Sequence, residues 1–90
     1  MAPHEFNFAL ELFGPGASTD MLCELADSVL GQLGCATDGV PGLTAALEAI
    51  VPILGRGRPS RLEFRAQQGH LQIVISSGTE PIWKGSRRLA

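Results

Sequence analysis

From Phe6 to Phe13 the chain alternates, with Phe6, Phe8, Leu10 and Leu12 set against Asn7, Ala9 and Glu11. A period of two with aromatic residues predicts a strand that buries one face. Gly14-Pro15-Gly16 is expected to stop it. The period then changes. Met21, Leu22, Leu25, Ala26, Val29, Leu30 and Leu33 recur at helical spacing, with Glu24, Asp27, Ser28 and Gln32 elsewhere on the wheel. Ser18 or Thr19 can accept hydrogen bonds from the free amides of the first turn, and Asp20 suits the positive end of the helix dipole. Gly34 offers a left-handed stop. Cys35 to Gly42 reads as a loop. A second helix carries Leu43, Ala46, Leu47, Ile50, Val51 and Leu54 on one stripe. Pro52 falls inside it. It has no N–H for the carbonyl of Glu48 and crowds that carbonyl, at a cost of about 3 kcal/mol in a regular helix. The helix is therefore expected to kink or end near Val51, with Gly55 and Gly57 opening a turn.

Alternation returns in Leu62, Phe64 and Ala66 against Arg61, Glu63 and Arg65, and again in Leu71, Ile73 and Ile75 against Gln72, Val74 and Ser76. Gln68-Gly69 between them predicts an antiparallel hairpin. Val74 is apolar on the outer side, so that face is expected to be partly covered. Ser77 to Pro81 reads as a turn, and Ile82-Trp83 as a short extended segment. The order β-α-α-β-β predicts an α+β fold: an antiparallel sheet of three to four strands with two helices packed on one face, which buries both helical stripes. Residues 1–84 are expected to form a single small domain, and residues 85–90 a frayed basic tail.

Composition narrows the class. Ninety residues, 44% hydrophobic and 18% charged, exclude intrinsic disorder as the default. The longest apolar runs fall far short of the roughly 20 residues of a membrane span. No basic start followed by an apolar stretch marks a signal peptide, so a cytoplasmic location is expected. Two cysteines, Cys23 and Cys35, are too few for a disulfide framework and read as buried thiols.

Charge is unevenly placed. Residues 1–50 hold seven acidic side chains and no Lys or Arg, whereas residues 51–90 hold seven basic side chains against Glu63 and Glu80. The halves carry −7 and +5. Such a split can steer charged partners to opposite sides or drive head-to-tail self-association. The plainer reading is two solvated faces of one domain.

Residues 6–80 resemble the first half of the histidine-kinase-like ATPase fold, in the small form used by anti-sigma serine kinases. That family has a strand and a helix, then a second helix carrying Glu-Ala-x-x-Asn, then a strand hairpin ending in Asp-x-Gly. Here Glu48-Ala49 match, and the family's magnesium-binding Asn falls on Pro52. The hairpin ends Ile75-Ser76-Ser77-Gly78-Thr79, where Ser77 stands nearest the family's adenine-reading Asp. The glycine-rich phosphate lid is missing. Mg²⁺ takes oxygen ligands, and proline offers no side-chain oxygen. Glu48 resembles the general base, but a base without an anchored substrate is idle. The resemblance thus implies a degenerate relative in which Glu48, Pro52, Ser77 and Gly78 are vestigial, with no catalysis and no cofactor.

Other residues carry chemistry on their own account. Arg56-Gly57-Arg58-Pro59 spells the core of an AT-hook, whose arginines enter the minor groove of A·T-rich DNA, and Arg61, Arg65, Arg87 and Arg88 could add phosphate contacts. Such hooks lie in disordered basic tails, whereas this one joins two elements of an acidic domain, so a solvated turn is expected and nucleic acid is not the expected partner. His4 and His70 lack neighbouring ligands at metal spacing, and no metal site is expected. Ser76 and Ser77 have no His-acid pair to make a nucleophile. Trp83 can anchor an interface or pack over the sheet.

A small apolar domain with an open sheet edge calls for a cover. The function expected is therefore a non-catalytic protein-interaction or regulatory module, acting as a homodimer or on a protein partner, with Arg56, Arg58, Arg61 and Trp83 as contact candidates and no membrane. The alternatives are a weak nucleotide-binding, kinase-like domain and DNA binding through the arginine loop.

Overall fold

A computed structural model of the chain describes residues 6–13, 16 and 18–88. The expected stop at Gly14-Pro15 and the histidine at position 4 lie outside the described residues. The elements run β1 (Phe6–Leu12), α1 (Thr19–Gly31), a 3-10 turn (Thr37–Gly39), α2 (Leu43–Gly55), β2 (Ser60–Gln67), β3 (His70–Ser77) and β4 (Glu80–Arg88). The strands form one antiparallel sheet in the order β1-β2-β3-β4. The fold is α+β, with the two helices on one face, as the hydrophobic periods require.

Both helices end as their glycines dictate. At the end of α1, Gly34 takes φ 75°, the Gly34 amide donates to the Gly31 carbonyl and the Cys35 amide to the Leu30 carbonyl. At the end of α2, Gly57 takes φ 81°, and the Gly57 and Arg58 amides donate to the Leu54 and Ile53 carbonyls. Both are Schellman closures, which satisfy carbonyls that the last helical turn leaves free. At the other end of α1, the Ser18 hydroxyl accepts from the Met21 amide, the expected cap.

Two expectations need correction. Of the two outcomes expected at Val51, a kink or an end, the end does not occur: helix α2 runs on to Gly55 with Pro52 inside it. Pro52 and Glu48 both lie on the exposed side of α2, so water can satisfy the carbonyl that loses its partner, and the buried stripe through Ile50 and Leu54 holds the last turn down. The frayed basic tail is also absent as far as Arg88, because Lys84 to Arg88 belong to β4 and pair with His70 to Val74. Leu89 and Ala90 lie outside the described residues.

The core lies between the layers. Leu22, Ala26 and Leu30 of α1 and Leu43, Leu47, Ile50 and Leu54 of α2 meet Leu62, Phe64 and Ala66 of β2 and Leu71, Ile73 and Ile75 of β3, all buried. The molecule's shortest dimension, 17 Å, fits one helical layer on one sheet. The opposite sheet face carries Asn7, Ala9, Glu11, Arg61, Arg65, Gln72, Lys84 and Arg88 exposed, with Val74 half-buried at its centre. An antiparallel sheet tolerates such a wet face. Among the described residues, no helix is long and apolar enough to cross a membrane.

Candidate functional site

The residues that the ATPase resemblance singles out belong to two elements, α2 and the β3–β4 hairpin. Glu48 and Pro52, four apart, share the exposed side of α2. Ser77 and Gly78 serve the β3–β4 hairpin: Ser77 pairs with Glu80 and with Ser60, and Gly78 supplies the positive φ, 63°, of the two-residue turn. Gly78 shares a cleft of about 170 Å³ with Glu11, Pro59, Ser60 and Arg61, and with neither Glu48 nor Pro52.

The arginine candidates occupy one end of the sheet. Arg56 and Arg58 are exposed in the turn that leaves α2. That turn is closed by the Arg56 amide on the Pro52 and Ile53 carbonyls and the Arg58 amide on the Ile53 carbonyl. It is a folded helix end and not the extended segment a minor-groove hook uses. Arg61 follows on the open sheet face, where its guanidinium lies 3.3 Å from the Glu11 carboxylate across the β1–β2 pair. Arg65 pairs likewise with Glu63 at 3.0 Å. Exposed pairs of this kind contribute about 0–1 kcal/mol each. They also neutralise two of the cations that the sequence places on this face.

Trp83 packs over the sheet. It is half-buried, its ring lies across the gap left by the missing side chain of Gly85, and its indole borders Gly42. Four residues on, the Arg87 guanidinium donates to the Gly39 carbonyl at 2.9 Å. Strand β4 is thus tied to the segment between the helices by one ring and one hydrogen bond.

Several contacts have no sequence signal. The Asp27 carboxylate, exposed near the end of α1, accepts from the buried Thr37 through its amide at 2.8 Å and through its hydroxyl. The Thr37 hydroxyl first, then the Thr37 amide, holds the Asp27 carboxyl below the ordinary carboxylate range. Nearby on α1, Cys23 is half-buried and its thiol is pushed up, by desolvation first and then by the carboxylates of Asp27, Asp20 and Glu48. Cys23 and Cys35 are free thiols. The residues of α1 that border β1 had no candidate role: Phe8, Ser28, Val29 and Gln32 line an open cleft of about 330 Å³ along that edge of the sheet. Among the described residues, no three metal-ligating side chains come together.

Electrostatically the molecule is layered. The segment from α1 to α2 carries Asp20, Glu24, Asp27, Asp38 and Glu48 and no cation, whereas the strands carry Arg61, Arg65, Lys84, Arg87 and Arg88 against Glu11, Glu63 and Glu80. The sequence's charge split is therefore a split between layers. No family model, curated protein or solved structure matches the chain.

Proposed function

We propose that this chain is a non-catalytic protein-interaction or regulatory module, acting as a homodimer or on a protein partner in the cytoplasm. The observation that carries this reading is that the vestigial positions divide between the exposed side of α2 and a hairpin turn, with no cleft lined by both. Glu48 and Pro52 lie open on α2, while Ser77 and Gly78 are spent on a hairpin turn. An ATP-handling centre needs its base, its metal ligand and its base reader around one substrate. Kinship with the anti-sigma ATPases rests on the element order and on Glu48-Ala49, and the proposal does not need it to extend to chemistry.

Calorimetry with magnesium and ATP or ADP tests the reading. The expected titration is flat, with no thermal shift on adding either nucleotide. Saturable, magnesium-dependent binding would overturn it in favour of the kinase-like alternative. DNA recognition by Arg56 and Arg58 is a weaker reading, because their turn is folded back on α2. Anisotropy of an A·T-rich duplex, with Arg56→Ala and Arg58→Ala as the control, is expected to show no specific signal.

A further inference from the structure

The open face of the sheet is not uniform in charge. Near β1 its cations are already engaged, Arg61 by Glu11 and Arg65 by Glu63. Toward β4 they are not. Lys84, Ser86 and Arg88 alternate along β4 and stand exposed on this face. Lys84 and Arg88 pair with no carboxylate among the described residues. Beside them lies a cleft of about 310 Å³, lined by Arg65, Gln67, His70, Leu71, Gln72 and Ser86 and by no carboxylate. The register builds it. Arg65, Gln72 and Ser86 stand opposite one another across β2, β3 and β4, and His70 stands opposite Arg88. A guanidinium, an amide and a hydroxyl thus form one row, flanked on β4 by two unpaired cations.

We propose that this part of the open sheet face, bounded by Arg65, Lys84 and Arg88, docks an acidic, extended segment of a protein partner. This names the partner's chemistry within the interaction-module reading and rests on it. Charge complementarity decides the occupant. The five carboxylates of the segment from α1 to α2 lie on the other side of the sheet. An acidic chain is therefore repelled from the helices and drawn to this face. Lys84 and Arg88 are four residues apart on one strand, about 13 Å. An extended chain lying along β4 presents its own side chains at i and i+4 on one face, at the same spacing. Two carboxylates so placed meet the two cations, and the side chain between them, at i+2, sits over Ser86 and the cleft. Nucleic acid suits the face less well. No Phe or Trp lines the cleft for bases to stack on, and Glu63 and the acidic helices oppose a long polyanion. Exposed ion pairs are individually weak, so the Kd is on the order of 100 µM at low salt.

Fluorescence anisotropy with the full chain and a short labelled peptide tests this. The peptide carries Glu at every fourth position, and a control peptide carries Gln there. The Glu peptide is expected to bind saturably at low salt and several-fold more weakly once salt screens the pairs. The Gln peptide is expected not to bind. Lys84→Gln and Arg88→Gln are each expected to weaken binding about fivefold or more. Thr79→Glu makes the same change in net charge in the exposed β3–β4 turn, at the far end of the sheet from the cleft. It is expected to change binding less than about twofold. Amide chemical shifts of the wild-type chain locate the peptide without any variant and are expected to move at Gln72, Lys84, Ser86 and Arg88. No saturable binding up to about 1 mM, equal losses from Thr79→Glu and Arg88→Gln, or tighter binding of a thymidine oligomer of equal charge overturns the proposal. So does self-association that Arg88→Gln weakens while the Glu peptide stays unbound, which gives the face to the acidic helices of a second copy. Failure here removes this surface alone, whereas nucleotide binding in the calorimetry would remove the reading beneath it.

Discussion

At the scale of single residues, the inner face of β2 carries one polar atom without a partner. Ser60 is 2% exposed, and its hydroxyl makes no hydrogen bond. A buried donor left unmatched costs about 1–3 kcal/mol. Ser60→Ala removes that hydroxyl and little else, and it is expected to stabilise the fold by about 1 kcal/mol in thermal or urea unfolding. Asp27 offers the opposite case, a polar side chain whose two hydrogen bonds join α1 to the turn at Thr37. Its carboxyl is held below the ordinary range, so its folded-state pKa lies below its unfolded one. The stabilisation is then fully present above the unfolded value and is lost as pH falls through the folded value. Asp27→Asn keeps an acceptor and removes the charge. The variant is expected to melt below the wild type near neutral pH, and the gap is expected to close as pH falls through and below the ordinary carboxylate range. Neither residue could be read from the sequence. Ser60 is one of several serines near a turn, and the Asp27–Thr37 contact spans ten residues without any pattern to announce it.

At the scale of elements, periodicity exposed most of the fold, and its failures have local causes. Strands β1, β2 and β3 and both helical stripes follow from alternation and from the 3.6-residue period, because each element is buried on one side only. Strand β4 does not follow, for three physical reasons. The bulge opposite Ile75/Ser76 breaks its alternation. Gly85 leaves a blank on its inner face, filled from Trp83. Arg87 points a charged group inward, where the Gly39 carbonyl accepts from it. Read along the chain, these three look like a polar tail. A methyl group on Gly85 would fall inside contact distance of the Trp83 ring. Gly85→Ala is therefore expected to push the indole off the sheet, red-shift its fluorescence and destabilise the domain by about 1–3 kcal/mol. The continuation of α2 past Pro52 has a different origin. The buried stripe through Ile50 and Leu54 outweighs the proline and keeps α2 helical to Gly55. Because Pro52 sits exposed inside a helix, Pro52→Ala restores the amide for the Glu48 carbonyl and is expected to stabilise by about 1–3 kcal/mol.

At the scale of the whole molecule, the candidate site was less legible than the fold, because its features depend on which residues share a surface. The charge split along the chain becomes five carboxylates on the helical layer with no cation among them. On the strands, cations sit beside Glu11 and Glu63 and are partly neutralised. The helical layer repels itself, and Cys23 registers the field, since Asp27, Asp20 and Glu48 all push its thiol up. Glu48 is the member whose role is in question. If it is a surface carboxylate, its charge is a burden that salt relieves. Glu48→Lys is then expected to raise Tm in about 10 mM salt, and the gain is expected to vanish near 1 M, where the screening length shrinks to about 3 Å. The same substitution is expected to bring the Cys23 thiol down and speed its alkylation above neutral pH, because one of the three carboxylates beside it becomes a cation. A Glu48→Lys variant that loses stability at every salt concentration, with Cys23 reacting no faster, would show that Glu48 makes a specific contact and does not merely add to the field of an acidic surface.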